Sequence, residues 1–204
     1  MCLADVSPHV RGLTQVQEGL LGENEYWKLV VLETGGQIEP RRPSPDDERI
    51  DFLIHGPASI EPLIGVQVKT TSRTRRAGRA DRLFIHFDAP RTGLLTHPRY
   101  WYFFCHFDTD LMLLRDPVFL APSTFVHRLA VPASDKRVRF YLEASLDLNS
   151  KDRWTPYRTR VAAIGDRMRE ILRSLPTESA GQRARWQRFV AAGSESPYHL
   201  MEAG

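Results

Sequence analysis

The stretch that decides the fold reads GVQVKTTS and covers residues 65–72. Its alternation of apolar and polar side chains, with two valines, predicts a β-strand that has one face in a core. Because successive side chains on a strand point to opposite faces, Gln67, Lys69 and Thr71 share a face. Lysine is rarely buried without a partner, so this pattern predicts that another group holds the Lys69 ammonium.

A candidate partner lies in the preceding predicted strand, IDFLI at residues 50–54. Alternation there places Asp51 on the face opposite to Ile50, Phe52 and Ile54. We expect Asp51 to face Lys69, because opposite charges lower each other's desolvation cost. A buried ion pair without any function is the simplest alternative.

Composition bounds the class of protein. The chain has 204 residues, of which 42% are hydrophobic and 26% charged, as in a soluble globular protein with a sizeable core. A formal net charge of +3 and a pI of about 9.0 are compatible with a polyanionic partner. Cys2 and Cys105 form no disulfide or zinc pattern, so we expect a cytoplasmic location. The apolar runs are too short to span a membrane, and we expect no membrane partner.

The order of predicted elements indicates the fold class. A long helix over residues 13–34, with an apolar stripe of Leu20, Trp27 and Val30, ends at Gly35-Gly36. Strands are predicted at 37–39, 50–54, 63–71, 83–87, 99–107 and 137–142, and two short strands followed by a helical turn are predicted within 111–125. Loops are predicted at 40–49 and 72–82, and helices over 158–175 and about 180–192.

These elements predict an α/β (α+β) fold, with a mixed central β-sheet flanked by helices. We expect residues 1–150 to form the core. Residues 151–204 are expected to form an arginine-rich helical C-terminal extension packed on that core, within a single domain overall.

Asp51, Gln67 and Lys69, with a glutamate on the preceding helix, have the arrangement of a metal-dependent phosphodiesterase site. Carboxylate and amide oxygens suit a hard cation such as Mg²⁺ or Mn²⁺. The lysine can hold and polarise an attacking water, while the metal offsets charge on the phosphate.

The chain resembles the PD-(D/E)XK nuclease superfamily, in its stand-alone DUF4365-like branch. The resemblance rests on GENEYWKLVVLETGG, DDERIDFLI and GVQVKTTS, in that order, over roughly residues 15–75. It implies a restriction-endonuclease-like core in which a helix, three strands, a second helix and a strand follow one another. It also implies that Asp51 is the metal-binding acid, Gln67 the second ligand, the Val68 carbonyl a further ligand and Lys69 the catalytic lysine.

Two departures from the family pattern affect the site. Gln67 occupies the usual acid position, and one negative charge fewer should weaken metal binding. The family's proline–acid pair also matches Pro45-Asp46 literally, but Asp46 falls in a polar loop whereas Asp51 falls within a strand. We therefore favour Asp51.

The predicted helix offers two glutamates for the metal site, Glu23 and Glu25. Two residues apart on a helix, they face different directions. At about 100° per residue, Glu23 lies beside the apolar stripe and Glu25 points away from it. Glu23 is therefore the predicted metal-site acid and Glu25 the fallback, while a surface position is the alternative for either.

Basic residues follow the predicted active strand. Hydroxyls and arginines there are the candidate nucleic-acid contacts: Thr71, Ser72, Arg73, Arg75, Arg76 and Arg79. A solvated loop is the alternative. A second nucleic-acid face within residues 151–188, with Trp154 and Trp186, is weighed against a helical tail packed by aromatics.

The sequence thus predicts a metal-dependent endonuclease that hydrolyses phosphodiester bonds in DNA, which is favoured over RNA. Phage defence or a mobile element is the expected setting, with a homodimer or a subunit of a larger defence complex as the assembly. The alternative is a catalytically inert nuclease fold that binds nucleic acid or serves in assembly.

Overall fold

The computed structural model describes residues 13–192 except 44–48, 57–62, 78–79 and 93. Its helices are α1 (Gln15–Glu33), α2 (Ser123–Val126), α3 (Ile164–Arg173) and α4 (Ala180–Ala192). Its strands are β1 (Glu39–Arg41), β2 (Phe52–His55), β3 (Ile64–Thr71), β4 (Thr74–Ala77), β5 (Ala80–Pro90), β6 (Tyr100–Asp108), β7 (Leu113–Pro122), β8 (Val131–Pro132), β9 (Arg137–Ser145) and β10 (Arg158–Thr159).

The strands form two sheets. The larger has the order β1-β2-β3-β6-β7-β10, with β3 and β6 parallel and the other neighbours antiparallel. This confirms the predicted α/β class with a mixed central sheet. The second sheet, β4-β5-β9-β8, is wholly antiparallel and adds a layer to the predicted architecture.

A hydrophobic core lies on each face of the mixed sheet. α1 and α3 cover one face, where Tyr26 and Phe103 are buried. The second sheet and α4 cover the other, where Tyr102 and Trp186 are buried. Neighbouring residues of β6 thus point into different cores, which confirms that the aromatic run at 99–107 is a buried central strand.

The buried face of α1 differs from the predicted stripe. Val30 is buried as expected, but Leu20 and Trp27 are 49% and 46% exposed. Gly22 lies on the buried face instead, against β3, where an added Cβ would stand 1.7 Å from Thr70 Oγ1. A glycine therefore determines which side of α1 packs against the sheet. Hydrophobic periodicity misses this side, because glycine does not count as an apolar position.

The connection between the parallel strands β3 and β6 also differs from expectation. Parallel neighbours need a long crossover, which is usually a helix and which the resemblance implies to be one. Here β4 and β5 form an antiparallel pair within the crossover, followed by a loop, so the predicted loop at 72–82 is wrong in part. Leu83 and Ile85 are buried in the second core, and this inward alternation makes β5 a strand of the second sheet.

The C-terminal region contributes to both cores. Ile171 of α3 belongs to the core under α1, and Trp186 of α4 belongs to the other core, where it packs against Gly65 of β3. Trp154 is 1% exposed and Trp186 is 3% exposed, so these aromatics are core residues and not a second stacking face. The predicted helix at 158–175 begins only at Ile164, after β10, and residues 113–122 form one strand instead of two. No helix in the described part of the chain is long and apolar enough to cross a membrane.

Candidate active site

Asp51 lies in a bend immediately before β2. Because β2 begins only at Phe52, the alternation predicted for residues 50–54 breaks there: Phe52 and Ile54 enter the core under α1, whereas Ile50 enters the other core. The Asp51 carboxylate turns toward β3 and accepts a hydrogen bond from the Val68 main-chain N–H, with Oδ2 2.6 Å from the nitrogen. This bond fixes the carboxylate one residue from Lys69.

Lys69 is half-buried and lies at the end of the buried part of β3. Among the described residues it forms no direct ion pair with Asp51, so the alternative of a simple buried ion pair is not found in its close form. The Lys69 ammonium instead stands 5.3 Å from the centroid of the Phe87 ring. An aromatic face attracts a cation, so Phe87 supplies part of the support that the sequence leads us to expect.

Asp51 and Lys69 are nevertheless coupled electrostatically. Burial raises the pKa of Asp51 to about 6, against the opposing influence of Lys69 and the Val68 N–H. Burial likewise lowers the pKa of Lys69, although Asp51 and Glu23 act to raise it. Desolvation dominates for both groups, so the cleft holds a carboxyl and an amine whose charged forms are both disfavoured.

Glu23 reaches the same site from α1. Its carboxylate is 2.6 Å from Nη1 of Arg42, and its negative charge raises the pKa of Asp51. Glu25 instead pairs with Lys28 at 2.6 Å and does not line the cleft described below. The structure therefore brings Glu23 and not the fallback Glu25 to Asp51, although the apolar stripe used to choose between them is not the buried face.

Gln67 lies apart from this group. Its side chain is buried, and its Oε1 is 3.1 Å from the Tyr100 hydroxyl, which is also 2.6 Å from the Arg49 main-chain oxygen. Gln67 does not line the cleft that contains Asp51 and Lys69. The structure thus brings together three of the four predicted catalytic residues and places the fourth behind them, in the second core.

A cleft of about 510 Å³ opens over Asp51 and Lys69. Its lining includes Glu23, Val68, Thr71, Arg73, Arg75, Phe84 and His86. Ser72 does not line it, although its hydroxyl hydrogen-bonds the carboxylate of Glu18, which does. Arg76 is exposed outside the lining, and Arg79 lies outside the described residues. Thr71, Arg73 and Arg75 are therefore the predicted nucleic-acid contacts that the cleft includes.

The donor set in the cleft fits a hard cation. Burial chiefly raises the pKa of Asp51, repulsion from the Glu23 carboxylate adds to it, and a cation between the two carboxylates would offset that repulsion. The Val68 carbonyl remains the predicted main-chain ligand. No group of three or more His, Cys, Asp or Glu side chains has metal-ligand spacing within the described residues. The oxygen donors are those that suit Mg²⁺ or Mn²⁺.

Three features of the site were not predicted from the sequence. Arg42 falls in a proline-rich charged stretch that gives no sign of contact with Glu23. Tyr100 is hidden in an apolar run, and only its hydroxyl marks it as a partner for Gln67. Phe84 and His86 could have been found, because they alternate with the buried residues of β5.

The comparisons with known proteins leave the family of the chain open. No protein-family model matches the sequence, and no curated protein or solved structure matches it.

Proposed function

We propose that the chain is a metal-dependent nuclease that hydrolyses phosphodiester bonds in DNA, or in RNA. One observation carries the proposal: Asp51, Lys69 and Glu23 share one cleft whose rim is formed by Arg73 and Arg75. An acid pair, a lysine of lowered pKa and a cationic rim are what hydrolysis of an anionic ester requires.

Each residue has a chemical role in this proposal. Arg73 and Arg75 hold phosphates of the nucleic acid at the rim. Lys69 hydrogen-bonds the attacking water and positions it, and its lowered pKa makes the neutral amine, which can accept the proton of that water, more accessible near neutral pH. Asp51, once ionised, orients the same water or a ligand next to it.

The proposed metal is Mg²⁺ or Mn²⁺, held by the carboxylates of Asp51 and Glu23 and the carbonyl of Val68. When bound, it supplies positive charge that stabilises the phosphate during hydrolysis. The proposed setting is defence against phage or a mobile element, and it rests on the resemblance alone.

A second candidate is an inert nuclease fold that binds nucleic acid without cutting it. Two observations favour it: Gln67 is engaged near Tyr100 instead of facing the cleft, and Arg42 already neutralises Glu23. Both would weaken a metal site and leave the cationic rim intact.

Cleavage assays separate the two candidates. Single-stranded DNA, duplex DNA and RNA are incubated with Mg²⁺, Mn²⁺ or a chelator, and wild type is compared with Asp51→Asn and Lys69→Met. Matched controls are Asp110→Asn and Lys151→Met, which change exposed residues away from the cleft. We expect metal-dependent cleavage that falls about 10²- to 10⁴-fold in the two cleft variants and is unchanged in the controls.

The opposite results are equally informative. Nucleic-acid binding without cleavage, whichever metal is added, supports the inert nuclease fold. Cleavage that survives both Asp51→Asn and Lys69→Met contradicts this site.

A further inference from the structure

The outer face of the second sheet carries a row of aromatic and cationic side chains that the core does not use. The Arg75 guanidinium stands 3.7 Å from the centroid of the Phe84 ring. Phe84 is 5.8 Å from His86 and 6.3 Å from Tyr141, and the rings of His86 and Tyr141 are 6.4 Å apart at 28°. We call these four residues the aromatic row.

Strand register explains why the row faces outward. His86 of β5 pairs with Tyr141 of β9, and the neighbouring pair Ile85 and Leu142 is buried in the second core. Side chains alternate across a sheet, so the rings of the row lie on the opposite face. His86 is exposed and Tyr141 is 39% exposed.

The charge on this face favours an anion. Arg75 is exposed on this face and Arg73 is exposed just before it, and among the described residues neither forms an ion pair. Arg76 lies on the other face of β4, across from Asp81. Arg82 and Arg139 differ, because they are paired with Glu143 at 2.9 Å and with Asp88 at 2.6 Å. Uncompensated positive charge is therefore concentrated at the Arg75 end of the row.

The row is continuous with the candidate active site. Arg75, Phe84 and His86 line the same cleft as Asp51 and Lys69. A strand that entered the cleft with a phosphate near Lys69 would leave along Phe84, His86 and Tyr141.

We propose that the aromatic row stacks the bases of single-stranded nucleic acid, so that the substrate of the neighbouring site is a single strand. Stacking needs an exposed base face. In a duplex the base faces are stacked inside the helix, and only the base edges are accessible in the grooves. Arg75 can contact both the phosphate and the base of a nucleotide, because a guanidinium binds phosphate and also stacks on aromatic rings. The single-stranded substrate rests on the proposed nuclease function, whereas the proposed binding of single strands to the aromatic row does not.

Cross-strand aromatic pairs also stabilise sheets, so the test must separate binding from folding. Labelled oligonucleotides of one sequence, as single-stranded DNA, single-stranded RNA and duplex DNA, are titrated by fluorescence anisotropy in chelator, where metal-dependent cleavage stops. Tyr141→Thr and His86→Thr remove rings while keeping strand propensity. Tyr141→Phe keeps the ring, and thermal unfolding checks each variant.

We expect single strands to bind more tightly than duplex. Tyr141→Thr and His86→Thr should each weaken single-strand binding about fivefold or more, while Tyr141→Phe stays within about twofold of wild type. Removing a ring should leave the salt dependence unchanged, because no phosphate contact is lost. Arg75→Gln should instead reduce the slope of log affinity against log salt by about 0.7. The DNA and RNA arms show which single strand is preferred.

Two results overturn the aromatic row as a binding site: duplex bound as tightly as single strands, or folded threonine variants that bind like wild type. Neither affects the nuclease proposal if cleavage still requires Asp51 and Lys69. Ring-dependent binding in a protein that never cleaves supports the row and rejects the nuclease.

Discussion

Oδ2 of Asp51 lies 2.6 Å from the main-chain nitrogen of Val68, and a side chain thereby accepts a hydrogen bond at the point where β2 no longer pairs with β3. The carboxylate proposed for catalysis is thus also a structural acceptor at the sheet. Its burial raises its pKa to about 6. Protonation of Asp51 therefore links stability to the proposed activity.

Asp51→Asn should change how stability depends on pH. An unfolded aspartate titrates near pH 3.9 and Asp51 in the fold near 6, so the folded state binds this proton more tightly. Asp51 therefore lowers the free energy of unfolding as the pH rises from about 4 to about 6, and above about pH 6 this destabilisation no longer changes with pH. Asparagine keeps an acceptor for Val68 without the charge. We expect the variant to be about 1–2 kcal/mol more stable than wild type near neutral pH, and not near pH 4.

Urea denaturation at several pH values measures this difference, with Asp110→Asn as the control. A stability difference that is the same at every pH contradicts the raised pKa of Asp51.

Arg42→Gln should move the pH dependence of cleavage. Arg42 pairs with Glu23 and lowers the pKa of Asp51, so its removal leaves Asp51 harder to ionise. We expect the acid limb of kcat/KM, which requires ionised Asp51, to shift to higher pH. Arg41→Gln is the neighbouring control, because its partner Glu39 is as exposed as Arg41 and remote from the cleft. Identical acid limbs in Arg42→Gln and wild type would separate Arg42 from the site.

Gly22→Ala should push α1 away from β3. The added Cβ would stand 1.7 Å from Thr70 Oγ1 and 2.6 Å from Thr70 Cβ, so a rotation of the threonine alone does not relieve the clash. We expect a loss of about 1–3 kcal/mol in the free energy of unfolding. Gly19→Ala, three residues earlier on the same helix, meets nothing within 4 Å and should gain up to about 1 kcal/mol. Chemical denaturation measures both, and equal effects of the two substitutions contradict the close approach of helix and strand.

Gln67→Glu tests the role of the position that departs from the family pattern. Gln67 is buried beside Tyr100 and outside the cleft, so a carboxylate there loses solvation without reaching the metal site. We expect a loss of about 1–3 kcal/mol in stability and an unchanged Mg²⁺ requirement for cleavage. Gln37→Glu, at an exposed position, is the control. A lower Mg²⁺ requirement in a stable Gln67→Glu protein would restore Gln67 as a metal ligand.

Local pattern accounts for the parts of the fold that were predictable. The alternation around Val66 and Val68, the apolar run at 99–107 and the glycines at 35–36 each act within a few residues, and each indicates its element correctly. The second sheet and the buried face of α1 depend on long-range contacts, such as the pairing of β5 with β9 and the approach of Gly22 to Thr70. A single sequence carries no record of those contacts.

The candidate site divides in the same way. Asp51 and Lys69 are recognisable because a charge within an apolar strand is unusual. The separation of Gln67 from these two residues cannot be recognised in the sequence. Gln67 and Lys69 share a face of β3, as predicted, but only Lys69 lies far enough along the strand to reach the cleft. Side-chain direction follows from strand period, whereas the position of the opening depends on how the two sheets and α1 meet.

The crossover between β3 and β6 has a consequence for how the proposed site can change its specificity. A surface loop beside an active site can usually be lengthened or exchanged at little cost. Here the segment that forms the rim continues into β5, which is paired with β9 through nine successive residues. Replacing the segment would disrupt this pairing, so we expect the proposed substrate preference to change mainly through point substitutions at alternate positions of β5 and β9. Laboratory evolution of this protein should therefore succeed with saturation libraries on that face and fail with loop grafts.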